Sequence, residues 1–129
     1  MDDRIGGLKR RAEFVHLTRH GRRQAMPGLV LQSAPTPMDT GSGDAMRVGY
    51  TVSKRVGNAV ERNRLKRRLR AAVNLVFPAC AAGGHDYVIV GRRAGLNRPF
   101  ADLASDLSKA LHKLGCRRQE PEAVKEGKA

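Results

Sequence analysis

Between Ser53 and Arg70 the chain concentrates the side chains best suited to gripping phosphate. Eight of these 18 residues are Lys or Arg (Lys54, Arg55, Arg62, Arg64, Lys66, Arg67, Arg68 and Arg70), and Glu61 is the one acid, a local charge of +7. Six of the eight are arginine, whose planar fork bonds two oxygens of a phosphate or a base edge at once. Solvated faces ordinarily mix the two signs of charge, and this segment does not. Steps of about 100° per residue from Asn58 put Leu65, Leu69, Ala72, Val73 and Val76 on one apolar stripe of a helix. Asn63, Arg64, Lys66, Arg67, Arg68 and Arg70 fall on the other side. Arg62 falls nearer the stripe, where a long side chain at the first turn still reaches past the helix end. The start of such a helix, near Asn58 and Ala59, adds free amides and a positive dipole end. The pattern describes a helix that is half core and half polyanion-binding face.

No competing constellation points to catalysis by the chain itself. The carboxylates form no metal-binding cluster, and Asp102 and Asp106, four apart, read as a solvated helix face. His16 and His20 have i,i+4 spacing but no acidic third ligand, so they read as donors to an anion rather than as a metal site. There is no GxSxG, no P-loop lysine and no GxGxxG. Catalytic residues are therefore assigned to none, and metal ligands stay open. Cys80 and Cys116, 36 positions apart, make neither a disulfide framework nor a CxxC knuckle, and fit a reducing cytoplasm. Aromatic residues are 4% of the chain. Phe77 and Phe100 read as core, which leaves Phe14 as the candidate for stacking on a base. Binding is then expected through backbone and shape, with a steep dependence on salt. Composition alone does not separate RNA from DNA.

The elements that must carry these residues follow from pattern. Residues 1–8 read as a mobile lead, and Lys9 to His20 as a helix stopped by Gly21 through its tolerance of positive φ. Leu29-Val30-Leu31 marks a strand at about 28–33, and the Pro- and Gly-containing stretch from Ala34 to Asp44 a loop. Arg47 to Val52 alternates as a strand, with Val48, Tyr50 and Val52 facing one way. The basic helix runs from the Asn58 cap to about Phe77, with Pro78 just beyond. After a turn over Ala79–Gly84, Asp86 to Val90 is the strongest strand. Phe100 to Leu114 closes as an amphipathic helix after Pro99, with Gly115 as its stop. The order α-β-β-α-β-α, with room for one more strand in 20–45, gives an α+β domain. The general handedness rule makes its βαβ crossover right-handed.

The whole chain, 129 residues with a net charge of +13, suits one domain over residues 1–115 and a disordered tail over 116–129. No apolar run approaches the roughly 20 residues that span a bilayer, and the N-terminus lacks the apolar core of a secretory signal. Self-repulsion at this charge is best understood if a polyanion is the usual partner.

At Ser53-Lys54-Arg55-Val56-Gly57-Asn58-Ala59-Val60-Glu61-Arg62-Asn63-Arg64-Leu65-Lys66-Arg67-Arg68-Leu69-Arg70 the sequence resembles the bacterial ribonuclease P protein component. That family carries the signature S-K-[KR]-x-G-x-A-V-x-R-N-R-x-K-R-x-x-R, and the likeness extends over roughly residues 4–115. The resemblance implies a compact α/β sandwich of about four strands, order αβββαβα, with a left-handed βαβ crossover. It implies a protein subunit of an endoribonuclease whose RNA subunit holds the active site. That RNA uses Mg²⁺ to hydrolyse the phosphodiester that frees the 5′ leader of precursor tRNA. By position, Arg62, Asn63, Arg64, Lys66, Arg67 and Arg70 would contact the catalytic RNA. Lys54, Arg55 and Asn58 would lie near the junction of leader, catalytic RNA and metal ions, and Phe14 would line the leader cleft. The chain departs from the family at Thr18 and Gln32, where aromatics are common, and at Met26-Pro27 in place of an Asn-Arg pair. A structural or chaperone-type RNA binder, such as a ribosomal protein, is the alternative.

Overall fold

Strand β5 (His85–Gly91) carries the consecutive β-branched residues Val88, Ile89 and Val90 and takes the centre of a five-stranded mixed sheet. The structure is a computed structural model that describes residues 5–7, 17, 19, 21–35 and 46–116. On one side of β5 lies β4 (Met46–Thr51), parallel, with β1 (Ile5–Gly7) parallel beyond it. On the other side lie β3 (Leu29–Pro35) and then β2 (Arg22–Ala25), both antiparallel to their neighbours. The order across the sheet is β1-β4-β5-β3-β2.

Alternation along the strands divides the apolar residues between two faces. Leu29, Leu31, Val48, Tyr87 and Ile89 form the main core with helix α1 (Ala59–Cys80) and helix α2 (Phe100–Lys113). Ala34 and Val88 point the other way and form a smaller cluster with Leu17. The stripe read from the sequence is the buried side of α1: Leu65, Leu69, Ala72, Val73, Val76 and also Phe77. In α2, Leu103, Leu107 and Leu111 are buried, but Phe100 is 38% exposed and is not core. It stands at the first position of α2, and Leu103 is the first residue of that helix to reach the core.

Several expectations change. Ile5–Gly7 is a strand rather than a mobile lead, so the sheet has five strands where about four were expected. Pairing of its backbone with Met46–Val48 makes it a strand, which an Ile-Gly-Gly pattern does not announce. Helix α1 continues through Pro78 to Cys80. At the last turn a proline removes one hydrogen bond, to the carbonyl of exposed Asn74, and the Ala81 N–H closes the helix on Phe77 O at 3.0 Å. Of the expected first helix, Leu17 and Arg19 are helical, and the remainder lies outside the described residues. Gly21 ends it without a positive φ. Its N–H bonds Leu17 O at 2.8 Å, and a Cβ there would collide with that carbonyl and lie 3.0 Å from Ser33 O. Close approach, not handedness, demands the glycine. Ala34 and Pro35 belong to β3, and residues 36–44, the rest of the expected loop, lie outside the described residues.

Two polar groups read as bland are structural. Asp106 is 3% exposed and accepts two hydrogen bonds from Arg98, at 2.7 and 3.1 Å, so only Asp102 fits a solvated face. Cys116, expected to open the tail, is buried; its thiol donates to Ser33 Oγ at 3.3 Å and its carbonyl accepts from Ala82 N–H. The tail proper, 117–129, lies outside the described residues.

Candidate nucleic-acid interface

The basic segment begins where β4 ends. A turn closed by Val56 N–H on Ser53 O at 3.1 Å holds Lys54 and Arg55 exposed. Asn58 then caps α1: its Oδ1 accepts the Glu61 N–H at 2.9 Å, and Glu61 Oε1 accepts the Asn58 N–H at 3.0 Å. Gly57 is needed beside this box, because a Cβ there would run into the Glu61 carboxylate. The one acid of the run is thus engaged at the helix start and neutralises none of the arginines on the helix flank. Asn58, which the resemblance would put near the leader junction, is in the structure the cap of α1.

Along α1, Asn63, Arg64, Arg67 and Arg70 are exposed, and Arg62, Lys66 and Arg68 are half-buried. Among the described residues the ion pairs are Arg47–Asp86 and Arg98–Asp106, and neither involves α1. Arg64, Arg67 and Arg70 are therefore exposed and without acidic partners among the described residues. Arg62 keeps its place nearer the core: its Nε is buried and has no hydrogen-bond partner among the described residues.

Two of the arginines also brace the protein. Arg64 Nη2 donates to Leu96 O at 2.7 Å and to Asn97 Oδ1 at 3.1 Å. Arg68 Nε donates to Gly95 O at 3.1 Å, and its Nη2 to Arg98 O. These acceptors belong to the 3₁₀ turn Arg93–Leu96 and the residues after it. The same loop reaches back, with Arg93 donating to Val56 O and Arg92 to Met26 O at 2.9 Å. Loop, basic helix and the Lys54–Arg55 turn are fastened into one surface. Sequence reasoning missed the brace because the acceptors of Arg68 are carbonyls 27 and 30 residues downstream. The Arg70 guanidinium lies over the Tyr50 ring, 5.3 Å from its centroid. Burial pushes the Tyr50 hydroxyl up to about 12, with the Arg70 charge pulling the other way.

Of the second candidate region, Gln32 shares a face of the sheet with Ala34 and Val88. Phe14 and Thr18 lie outside the described residues, as do His16 and His20. Gln32 is half-buried, opposite Val88 of β5 and Arg23 of β2. Met26 packs against the core, and Pro27 is exposed. No group of three His, Cys, Asp or Glu able to hold a metal ion occurs among the described residues. No helix there is long and apolar enough to cross a membrane.

Comparison with known proteins places this surface in context. The family model for ribonuclease P matches residues 4–115. The ribonuclease P protein component of Paramagnetospirillum magneticum is 50% identical over 115 residues, covering 89% of this chain and 86% of the relative. That of Gluconacetobacter diazotrophicus is 45% identical over 120 residues, covering 93% and 100%. The solved RNase P protein of Staphylococcus aureus is similar in fold, with a TM-score of 0.68 at 23% identity, covering 83% of this chain and 93% of that one. The RNase P protein of Thermotoga maritima has a TM-score of 0.67, also at 23% identity, with the same coverage of 83% and 93%.

Proposed function

The chain belongs to the ribonuclease P protein family, and from that premise we infer what its surfaces do. It is the RNA-binding protein subunit of an endoribonuclease and assists removal of the 5′ leader from precursor tRNA. We propose that the exposed side of α1, through Asn63, Arg64, Lys66, Arg67 and Arg70 with Arg62 at its margin, docks on the catalytic RNA. Lys54, Arg55 and Asn58 then stand at the junction with the leader, and Phe14 lines the leader's path. The observation that supports this reading is a helix packed on one side and cationic on the other, with no acid of the described residues pairing its cations.

The physical role is to reduce repulsion between two RNAs. Each phosphate met by an arginine releases condensed counterions, and a protein of net charge +13 lowers the cost of bringing leader and catalytic RNA together. The protein's described carboxylates form no cage for a divalent ion. We assign Mg²⁺ to the RNA subunit, as the likeness to the ribonuclease P family implies; there it would supply the activation of water for phosphodiester hydrolysis. The free thiols Cys80 and Cys116 suit a reducing compartment, and we place the subunit in the bacterial cytoplasm.

The test is reconstitution of precursor-tRNA cleavage by the catalytic RNA at low Mg²⁺, with and without the protein. The protein is expected to restore cleavage that the RNA alone loses. Cleavage at the mature 5′ end by RNA-free protein would overturn the assignment of chemistry to the RNA. Capture of ribosomal RNA in place of one catalytic RNA would favour a structural RNA binder.

A further inference from the structure

An exposed arginine on a helix flank has many rotamers, and no acid among the described residues fixes that of Arg70. What it does meet is an aromatic face. The alternation of β4 turns Val48, Tyr50 and Val52 toward α1, and Val48 and Val52 are buried. Among the described residues, strand β1 pairs with β4 at Met46, Arg47 and Val48. The Tyr50 ring is half-buried and packs partly against the core cluster, and the Arg70 guanidinium lies over its face. A guanidinium carbon 5.3 Å from a ring centroid is within the range of attraction by the ring quadrupole.

We propose that Tyr50 is a positioning residue for RNA docking: its ring holds the Arg70 guanidinium in the orientation in which it meets the catalytic RNA. The inference rests on the reading of α1 as the docking helix and adds a residue outside the basic signature. Holding the side chain beforehand reduces the rotamer freedom lost when the RNA arrives. Tyr50 then serves the interface without stacking on a base.

A double-mutant cycle on binding of the catalytic RNA tests this, using wild type, Tyr50→Leu, Tyr50→Phe, Arg70→Ala and Tyr50→Leu with Arg70→Ala. Tyr50→Leu is expected to weaken binding about two- to fivefold when Arg70 is present, and to change nothing when it is absent. Tyr50→Phe, which keeps the ring, is expected to bind like wild type. A harmless Tyr50→Leu beside a weakening Arg70→Ala would sink the proposal and leave the docking helix standing. So would an equal loss from Tyr50→Leu without Arg70, since the tyrosine would then act by another route. If Arg70→Ala binds normally, the docking role of Arg70 fails and the proposal fails with it. An independent readout needs no RNA: the Arg70 Nε–H resonance should be ring-shifted in wild type and Tyr50→Phe and unshifted in Tyr50→Leu. An unshifted resonance in wild type overturns the proposal directly.

Discussion

The Arg68 Nε–H meets the Gly95 carbonyl at 3.1 Å, while the neighbouring Arg67 is exposed and has no acidic partner among the described residues. Two adjacent arginines of one basic run thus do different work. One fastens a loop to the helix, and the other faces the solvent where RNA would lie.

Arg67→Ala is expected to weaken binding of the catalytic RNA and to reduce the slope of log K against log salt by about one phosphate contact, roughly 0.7 to 0.9. Arg68→Leu is expected to leave that slope unchanged and to raise hydrogen exchange at Leu96 and its neighbours. Binding isotherms over a salt series, with exchange mass spectrometry, check both. A slope that falls equally for the two variants would make Arg68 a phosphate contact.

Arg47 and Asp86 face each other in register across β4 and β5, with Nε on Oδ1 at 2.9 Å and Nη2 on Oδ2 at 2.5 Å. The Asp86 side chain is 1% exposed and that of Arg47 20%. Asp86→Ala should destabilise the fold by about 2–3 kcal/mol, less than the roughly 3–5 of a fully buried pair because Arg47 retains some water. Urea unfolding measures it, and no change in midpoint would show that the pair contributes nothing.

The capping box gives a third expectation. Gly57→Ala forces a Cβ against the Glu61 carboxylate and should cost about 1–2 kcal/mol by breaking the cap. Glu61→Gln, which can still accept from the Asn58 N–H, should cost much less. Thermal unfolding of the two variants distinguishes a cap from a charge effect.

The chain's two tyrosines, Tyr50 and Tyr87, both have hydroxyls raised by burial, Tyr50 from 10.0 to about 12. Below pH 10 the phenol is protonated in both folded and unfolded chains, so this contribution to stability is fully present. Above pH 10 the unfolded chain releases protons that the folded one retains, and the contribution is lost as pH rises toward 12. Phenolate absorbance is therefore expected to appear late and together with unfolding. A clean titration of either tyrosine near pH 10 in the folded protein would contradict the burial.

Much of the interface was legible because a helical period leaves its mark on a linear sequence. Leu65, Leu69, Ala72, Val73 and Val76 each lie 3 or 4 positions from another of the set and are all buried, which turns Arg64, Arg67 and Arg70 outward. The Asn58 cap was equally local, since its partner is three residues away. What escaped was set by distant chain. Arg68 reads as one more cation until the 93–98 loop arrives beside it, and Asp106 reads as surface until Arg98 folds over it. Ile5–Gly7 has no strand signal of its own and becomes one by pairing with β4, 41 residues further along in register. Pro78 does not stop α1, because a helix end tolerates what its middle does not.

The two sides of α1 are interleaved rather than consecutive: Leu65 sits between Arg64 and Lys66, and Leu69 between Arg68 and Arg70. Deleting or inserting one residue here would turn everything beyond it by about 100°. Guanidinium groups would swing into the hydrocarbon interior, and leucines would swing out into the solvent. This stretch can therefore drift by substitution over evolutionary time, but its length is locked.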